Sequence, residues 1–413
     1  MKALAVLGTA LLALTLAALA LYEPGALVVA QKNLFVALLA AAAGVYFLAV
    51  RTVLTSPPRT IWLILAIAAA MRLAVLFAPP FLSSDVYRYV WDGRVQAAGI
   101  NPYLHIPADP ALASLRDDAV YPRINRASYA PTIYPPAAQA IFAAAAQIAP
   151  GVTGMKAVML GFEALAMLCL WHLGAGARLA IYAWNPLTVW AFAGNGHVDA
   201  AAIGLIALAL LLRSRLHHGW AGMAIGAAVL VKFLPAAILP ALWRRPDWRL
   251  PLAVLATIAA LYALYAGAGT KLLGFLGGYG AEEGLRDGSG LWLLAGIGRL
   301  TPLPAWAAPA YLAAAGAALL ALAWRIARRP AHDIAADAGL LAAALTVVIS
   351  PHYPWYFAWL SLFAALAPSR TLIWLGAAPV LLYVNPGGDQ FLWPSLVYLP
   401  ALALTIAQYR RPT

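Results

Sequence analysis

Residues 79–136 read PPFLSSDVYRYVWDGRVQAAGINPYLHIPADPALASLRDDAVYPRINRASYAPTIYPP. This is the longest polar interval in a chain that is otherwise mostly hydrocarbon. It carries Asp85, Asp92, Asp109, Asp117 and Asp118, five basic residues and a dense set of aromatics. Connections longer than ~15 residues are usually functional or disordered. The Tyr, Trp, Ile and Pro content here excludes a disordered linker. The stretch therefore reads as a folded cap beside a membrane domain, and the rest of the chain must supply what it covers.

Of the 413 residues, 64% are hydrophobic and only 10% charged, and the mean hydropathy is +0.81. That composition describes a multi-pass membrane protein and excludes a soluble domain. Repeated apolar runs approach the span length of a bilayer, so the expected fold is all-α, a bundle of about 12–14 transmembrane or partly spanning helices. The formal net charge of +12 does not call for a nucleic-acid partner, because the basic residues sit in short loops where they set topology. Cys169 is the single cysteine, so no intrachain disulfide or cysteine-based metal site is expected. Residues 1–22 fit a retained first helix better than a signal peptide.

Apolar segments fall at 3–22, 33–50 and 60–78. With a cytoplasmic N-terminus, Arg51 and Arg59 lie inside and the 79–136 loop outside. Residues 137–149, after Tyr134-Pro135-Pro136, are too short to span and read as a helix on the outer side. Residues 155–173 cross inward to Arg178. The next segments are singly too short. Residues 179–193 and 199–212 flank Gly194-Asn195-Gly196-His197-Val198-Asp199, and 219–231 and 233–243 flank Lys232-Phe233-Leu234-Pro235. Their basic ends, Arg178, Arg213, Arg215, Arg244, Arg245 and Arg249, make each pair a hairpin with an outward tip. Broken helices at membrane depth are tolerated where they line a cavity, so both tips are expected to do so. Residues 250–267 cross outward and 306–326 return to Arg325, Arg328 and Arg329. Residues 335–349 rise to Ser350-Pro351-His352-Tyr353-Pro354-Trp355-Tyr356. Residues 355–367 descend to Arg370, 371–384 rise to Asn385-Pro386-Gly387-Gly388-Asp389, and 392–408 end at Arg410 and Arg411. The chain thus reads as one integral-membrane domain over 1–413. Its parts are the cap 79–136, short-helix hairpins 137–250, a second outer loop 268–305 and C-terminal helices 306–413, with both termini cytoplasmic. Most Asp and Glu fall outside or at outward tips. The positive-inside rule does not require this; a carboxylate-using site on the outer face would.

Asp85 lies just past the outward end of the third segment. A carboxylate at the mouth of an outer cavity suits a general base; Ser84 or Asp85 equally suits the N-cap of a helix beginning near Val86. That helix, to Ala98, reads as amphipathic and interfacial, stopped by Gly99-Ile100-Asn101-Pro102. Tyr87 and Arg88 in its first turn are candidate substrate contacts. His197 and Asp199 share a glycine-bearing tip, where backbone approaches a ligand closely; a hydrogen-bonded polar tip fits them too. Lys232 is a lysine among apolar residues at membrane depth, a functional hypothesis by default, and a point charge suits a phosphate. Snorkelling is the simpler alternative. Arg72 and Glu163 are also embedded, but away from any tip, and read as helix-packing residues. Trp355 and Trp359 fit an aromatic belt, while His352, Tyr353 and Tyr356 fit contacts to a phosphate, a sugar or an isoprenoid. Arg123, Arg126 and Arg286 are alternative phosphate partners. No Walker, Rossmann or HExxH motif is present, so the energy for any chemistry must arrive in a membrane-borne or extracytoplasmic substrate.

An Asp in the first large outer loop, a Tyr-Pro-Pro helix, paired short helices and aromatic outer tips together resemble the GT-C superfamily of integral-membrane glycosyltransferases. Two families are most similar. One is glycosyltransferase family 87, the polyprenyl-phosphate-mannose-dependent mannosyltransferases of bacteria. The other is the eukaryotic GPI mannosyltransferase catalytic subunit, whose loop is similar to Asp85-Val86-Tyr87 followed by Gly99-Ile100-Asn101-Pro102-Tyr103. The resemblance covers most of residues 60–360. It implies a GT-C-like bundle in a bacterial inner membrane, with a lipid-linked sugar donor and a glycolipid or glycan acceptor. It also implies Asp85 as catalytic base, Lys232 and His352 as donor-phosphate contacts and His352-Tyr353-Pro354-Trp355-Tyr356 as part of the donor wall. Ser84 stands where some GT-C members carry a second acidic residue, so neither a metal nor any other cofactor is expected. A polyprenyl-linked or glycolipid flippase, or a non-catalytic assembly scaffold, remains compatible with the embedded charges alone.

Overall fold

The computed structural model describes residues 2–21, 29–55, 60–243, 246–329, 333–384 and 388–410. The topology markers Arg59, Arg244, Arg245, Asn385, Pro386, Gly387 and Arg411, and residue 22 of the first apolar segment, lie outside them. The described residues form helices and no strands. Hydrocarbon offers no hydrogen-bond partner to the backbone, so spanning segments satisfy their own polar groups as helices.

The first helices are α1 (Lys2–Ala20), α2 (Val29–Val53) and α3 (Ile61–Leu76). In α1, Leu4, Gly8, Leu11, Thr15 and Ala18 are buried. That three-to-four-residue spacing presents one stripe to the bundle and leaves the other faces for lipid. Helix α4 (Asp85–Ala97) opens the cap, and α5 (Pro136–Ile148) and α6 (Gly151–His172) follow it. Among the described residues, four helices are long and apolar enough to cross a membrane: Lys2–Ala20, Lys32–Val53, Gly151–His172 and Ala307–Ala327. Two more segments are broken, Pro186–Gly194 with Asp199–Ser214 bent by 116°, and Arg249–Ala263 with Ala266–Glu282 bent by 110°. Shorter apolar helices, among them His218–Val231, Ile334–Ile349 and Pro354–Leu366, fill the rest. The protein is an all-helical, multi-pass membrane protein, built largely from short or broken helices rather than full spans.

A buried ion pair pins the centre of the bundle. Arg72 of α3 donates to Glu163 of α6 through Nε at 3.0 Å and a terminal nitrogen at 2.6 Å. The other terminal nitrogen donates to the Ala183 carbonyl at 2.7 Å. Both side chains are fully buried, which matches the packing role read from the sequence. Removing one partner of such a pair strands the other charge, at a cost of about 3–5 kcal/mol. Arg72→Leu is therefore expected to lower the thermal unfolding midpoint of detergent-solubilised protein sharply. Arg72→Leu with Glu163→Leu is expected to recover much of the loss. Equal midpoints for the single variant and wild type would contradict the pinning role.

The chain break before Asp199 positions the cap. Residues Val189–Gly194 form a π-helical turn, a wide turn that recurs at functional sites. Asn195 then turns its side chain on the cap: its Oδ1 accepts from the backbone N–H of Phe81 at 3.1 Å and of Leu82 at 3.0 Å, while its Nδ2 donates to the Trp190 carbonyl at 2.7 Å. Gly196 follows at φ +72°, where a Cβ would stand 2.9 Å from Val86 Cγ2 and 3.0 Å from Lys156 Cγ. Only glycine permits both that backbone conformation and that approach.

Helix α4 differs from its expected interfacial position. Val86, Tyr87, Arg88, Tyr89, Val90, Trp91, Asp92, Gly93 and Val95 are all buried, packed against α5 and α6. Its polar face is consumed internally. Asp92 accepts from Arg88 Nε at 2.8 Å and from Gln139 Nε2 of α5 at 2.8 Å. The far end of the cap is likewise fastened: the exposed Asp117 pairs with Arg94 at 2.7 Å, which anchors it to α4. The second polar loop docks on the first at Gly274, whose φ of +53° and tight approach to the Thr132 carbonyl admit no side chain. The neighbouring Phe275 N–H donates to that carbonyl at 3.1 Å.

Candidate active site

These junctions gather the cap, the 194–199 tip, the 231–235 turn, the 276–282 helix and the 350–356 segment around one cavity of about 540 Å³. Its wall includes Asp85, Tyr89, Asn125, Arg126, Tyr134, Asp199, Lys232, Tyr279, Glu282, Tyr353, Trp355 and Tyr356. The two tips expected to line a cavity, 194–199 and 232–235, do so through Val198, Asp199, Lys232, Phe233 and Leu234.

Asp85 is the first residue of α4, and neither it nor Ser84 caps the helix through its side chain. Ser84 makes no side-chain cap bond. The Asp85 carboxylate turns into the cavity, where Oδ1 accepts from Asn125 Nδ2 at 2.7 Å and Oδ2 stands 3.6 Å from His197 Nδ1. Burial raises its carboxyl above the usual carboxylate range; the Asn125 hydrogen bond and the charges of Lys232 and Arg126 oppose that, and Asp199 adds to it. A carboxylate made more basic in this way is a better proton acceptor near neutral pH.

Lys232 faces the cavity because the helix His218–Val231 ends one residue before it, in extended backbone. Pro235, with no N–H, prevents the ladder from continuing. The ammonium donates to Asp199 Oδ1 at 2.7 Å and sits 3.4 Å from the centre of the Tyr356 ring. Tyr356 is held in turn by a 2.6 Å hydrogen bond between its hydroxyl and that of Tyr279. Lysine snorkelling to a headgroup region therefore does not describe Lys232, whose charge is fixed by a carboxylate and a ring.

The aromatic wall runs from His197 through Trp355, stacked at 3.9 Å between ring centres, to Tyr353, stacked on Trp355 at 4.9 Å. Trp355 and Trp359 are both buried, and Trp359 Nε1 donates to Thr346 at 3.2 Å. The aromatic-belt reading is thus corrected for both. At the mouth, Arg126 pairs with Glu282 at 2.6 Å, and Tyr129 donates to the same carboxylate at 3.0 Å.

Six residues singled out from the sequence as substrate or phosphate contacts do not line the cavity: Tyr87, Arg88, Arg123, His197, Arg286 and His352. Arg88 is spent on Asp92 and on the Ala130 carbonyl, so its guanidinium is a buried strut, not a substrate contact. Tyr87 is buried on the same helix and packs beneath the Arg123 guanidinium. Arg286 is exposed and donates to the Gly277 carbonyl at 3.3 Å. His197 lies behind Asp85. His352 stands behind Tyr353, 3.2 Å from Glu283 Oε2. Burial pushes its imidazole down to about 4 and pushes Glu283 up, so His352 is a neutral hydrogen-bonding group rather than a cation. Conversely, Asn125, Tyr134, Tyr279 and Glu282 belong to the wall without having been singled out. Tyr89 had a signal, since it lies four residues after Asp85 and shares its helix face. Asn125 had none, forty residues away in an irregular loop. No group of three or more His, Cys, Asp or Glu side chains is placed to hold a metal ion among the described residues.

The chain matches no curated protein and no solved structure. A family model does match it over residues 3–244, the part that carries Asp85, Asn125, His197, Asp199 and Lys232. More than half of the chain is covered by that match, and the chain belongs to the MptA_B family, described as the alpha-(1->6)-mannopyranosyltransferase N-terminal domain.

Proposed function

We propose that this mannosyltransferase takes its sugar from a polyprenyl phosphate and transfers it, with inversion, at the outer face of a bacterial inner membrane to a hydroxyl of a glycolipid or glycan. One observation carries the reading: a single cavity presents a basic carboxylate, Asp85, and a fixed ammonium, Lys232, with an aromatic wall beside them. The acceptor hydroxyl oxygen attacks C1 of the sugar while Asp85 takes its proton. The C1–oxygen bond to the phosphate breaks, and the bonding pair leaves with the polyprenyl phosphate. Lys232 stabilises the phosphate anion. Tyr353, Trp355 and Tyr356 hold the sugar and the first lipid carbons. Arg126 meets the phosphate if it exchanges Glu282 for it, and His352 supports Tyr353 from behind as a neutral group. The alpha linkage in the family description then requires a β-linked donor, since inversion exchanges the two. No nucleotide enters the scheme. The broken helices support a lipid donor, because they bring polar side chains to a cavity beside hydrocarbon without exposing backbone to lipid.

The test uses the full chain in vesicles loaded with radiolabelled β-mannosyl polyprenyl phosphate and a mannoside acceptor. Label is expected in a new α-linked product. Label that only changes leaflet would identify a flippase and reject transfer. Transfer from a nucleotide sugar but not from the lipid-linked one would reject the donor.

A further inference from the structure

We infer that His197 is a positioning residue for Asp85, acting as a neutral hydrogen-bond donor that closes on the carboxylate when substrate fills the cavity. The inference rests on the reading of Asp85 as the base.

His197 is completely buried, and neither ring nitrogen has a hydrogen-bond partner among the described residues. A buried imidazole in that state forgoes hydrogen bonds it would make in water, so a partner within reach is informative. The nearest is Asp85 Oδ2, 3.6 Å from Nδ1, which is beyond a hydrogen bond and within a small side-chain movement of one. The ring cannot turn away freely. Trp355 is stacked on it at 3.9 Å and 20°, its backbone N–H is tied to the Ala191 carbonyl at 3.1 Å, and Gly196 beside it is locked against Val86. Trp355 lines the cavity, so a sugar pressed against Trp355 bears on His197 through the stack.

The carboxylate has the complementary need. Asn125 fixes Oδ1 and leaves Oδ2 free to rotate about that bond. A donor on Oδ2 from the opposite side sets the carboxylate plane, so that one remaining lone pair faces the cavity. The proton belongs on Nδ1, because an imidazole facing an ionised carboxylate orients its N–H toward it. The charged groups bearing on the pair are Lys232, Arg126 and Asp199, with the hydroxyls of Tyr89 and Tyr134 beside them.

His197→Phe keeps the stack and removes the donor, and His197→Asn keeps a donor close to the Nδ1 position. Turnover and donor KM are measured for both across pH, alone and in an Asp85→Asn background. The Phe variant is expected to lower kcat by about 10–100-fold, as for a lost hydrogen bond to a charged group, with donor KM within about twofold. The acid limb of kcat, which reports the filled cavity, is expected at higher pH than in wild type, because a lost donor makes the carboxylate more basic. The Asn variant is expected to restore part of both, and the Phe change to add little once Asp85 is gone. Wild-type kcat and acid limb in His197→Phe would overturn the inference. So would equal losses in Phe and Asn, or a full further loss in the Asp85→Asn background, since either means a structural role. Near-wild-type turnover of Asp85→Asn alone would instead overturn the assignment of the base, and this inference with it.

Discussion

Asp85→Asn is expected to lower turnover by about 10²–10⁴-fold, the range for removal of a general base, while donor binding and membrane insertion persist. The amide keeps the shape of the carboxylate and still offers Asn125 an oxygen, so the 2.7 Å contact across the cap survives. What disappears is the carboxylate lone pair proposed to take the proton of the acceptor hydroxyl. The loss is expected in kcat, with the donor dissociation constant close to wild type, because the proposed role of Asp85 is proton transfer and not sugar binding. A second signature is the pH profile. In the proposed role Asp85 works ionised, and burial holds its carboxyl above the ordinary range. Activity should therefore fall as pH descends through that raised value, with an acid limb above the ~3.9 of a free aspartate, and the limb should vanish in Asp85→Asn. Turnover and equilibrium donor binding on the same purified protein settle the matter. A variant that transfers at near-wild-type rate, or a wild-type acid limb at ordinary carboxylate pH, removes Asp85 from the role.

The sequence made the architecture legible to within a few residues per helix, because apolar length and basic ends are local signals. The break at 194–199 announced itself through Gly194-Asn195-Gly196 and the turn after Val231 through Pro235, and both tips line the cavity; the bend between Ala263 and Ala266 carried no such signal. The contents of the site were less legible, for a physical reason. Partnerships in it are long-range: Lys232 with Asp199, Asp85 with Asn125, Arg126 with Glu282. Nothing in local composition distinguishes a residue reserved for substrate from one already committed to a neighbour. Arg88 is the instructive error. Its partner Asp92 stands four residues on, a spacing that joins side chains on one helix face, and that spacing was readable. On an interfacial helix such a pair is weak and solvated. Buried, the same pair is structural. The aromatic-belt reading of Trp355 and Trp359 failed in the same way, since composition gives an aromatic cluster at a helix start without saying whether lipid or protein surrounds it.

Lys232→Gln is the second change expected to have a large effect, lowering kcat/KM by about 10²–10³-fold, the scale of losing one preorganised charge at a leaving group. Two contributions have to be separated. Lys232 is the ion-pair partner of Asp199, with side chains one-fifth and one-tenth exposed, so its removal also leaves a largely buried carboxylate without a counter-charge. That alone destabilises the 194–199 tip and disturbs Asp85 through added negative potential. Lys232→Gln with Asp199→Asn removes both charges and keeps two polar groups of similar size. If the ammonium serves only Asp199, the double variant should regain both thermal stability and turnover. If it stabilises the departing phosphate, stability should return while turnover stays low. The second outcome is expected, because the ammonium has three donors and Asp199 occupies one, with the Tyr356 ring beneath it. Cation–π contact holds a charge in place without consuming an N–H, which leaves donors for phosphate oxygens. The effect should also depend on the leaving group. A donor whose phosphate is replaced by a more acidic leaving group needs less stabilisation of developing charge, so the gap between wild type and Lys232→Gln should narrow with it. A gap that stays constant across leaving groups would place Lys232 in ground-state binding or in the fold, and would take it out of the departure of the phosphate.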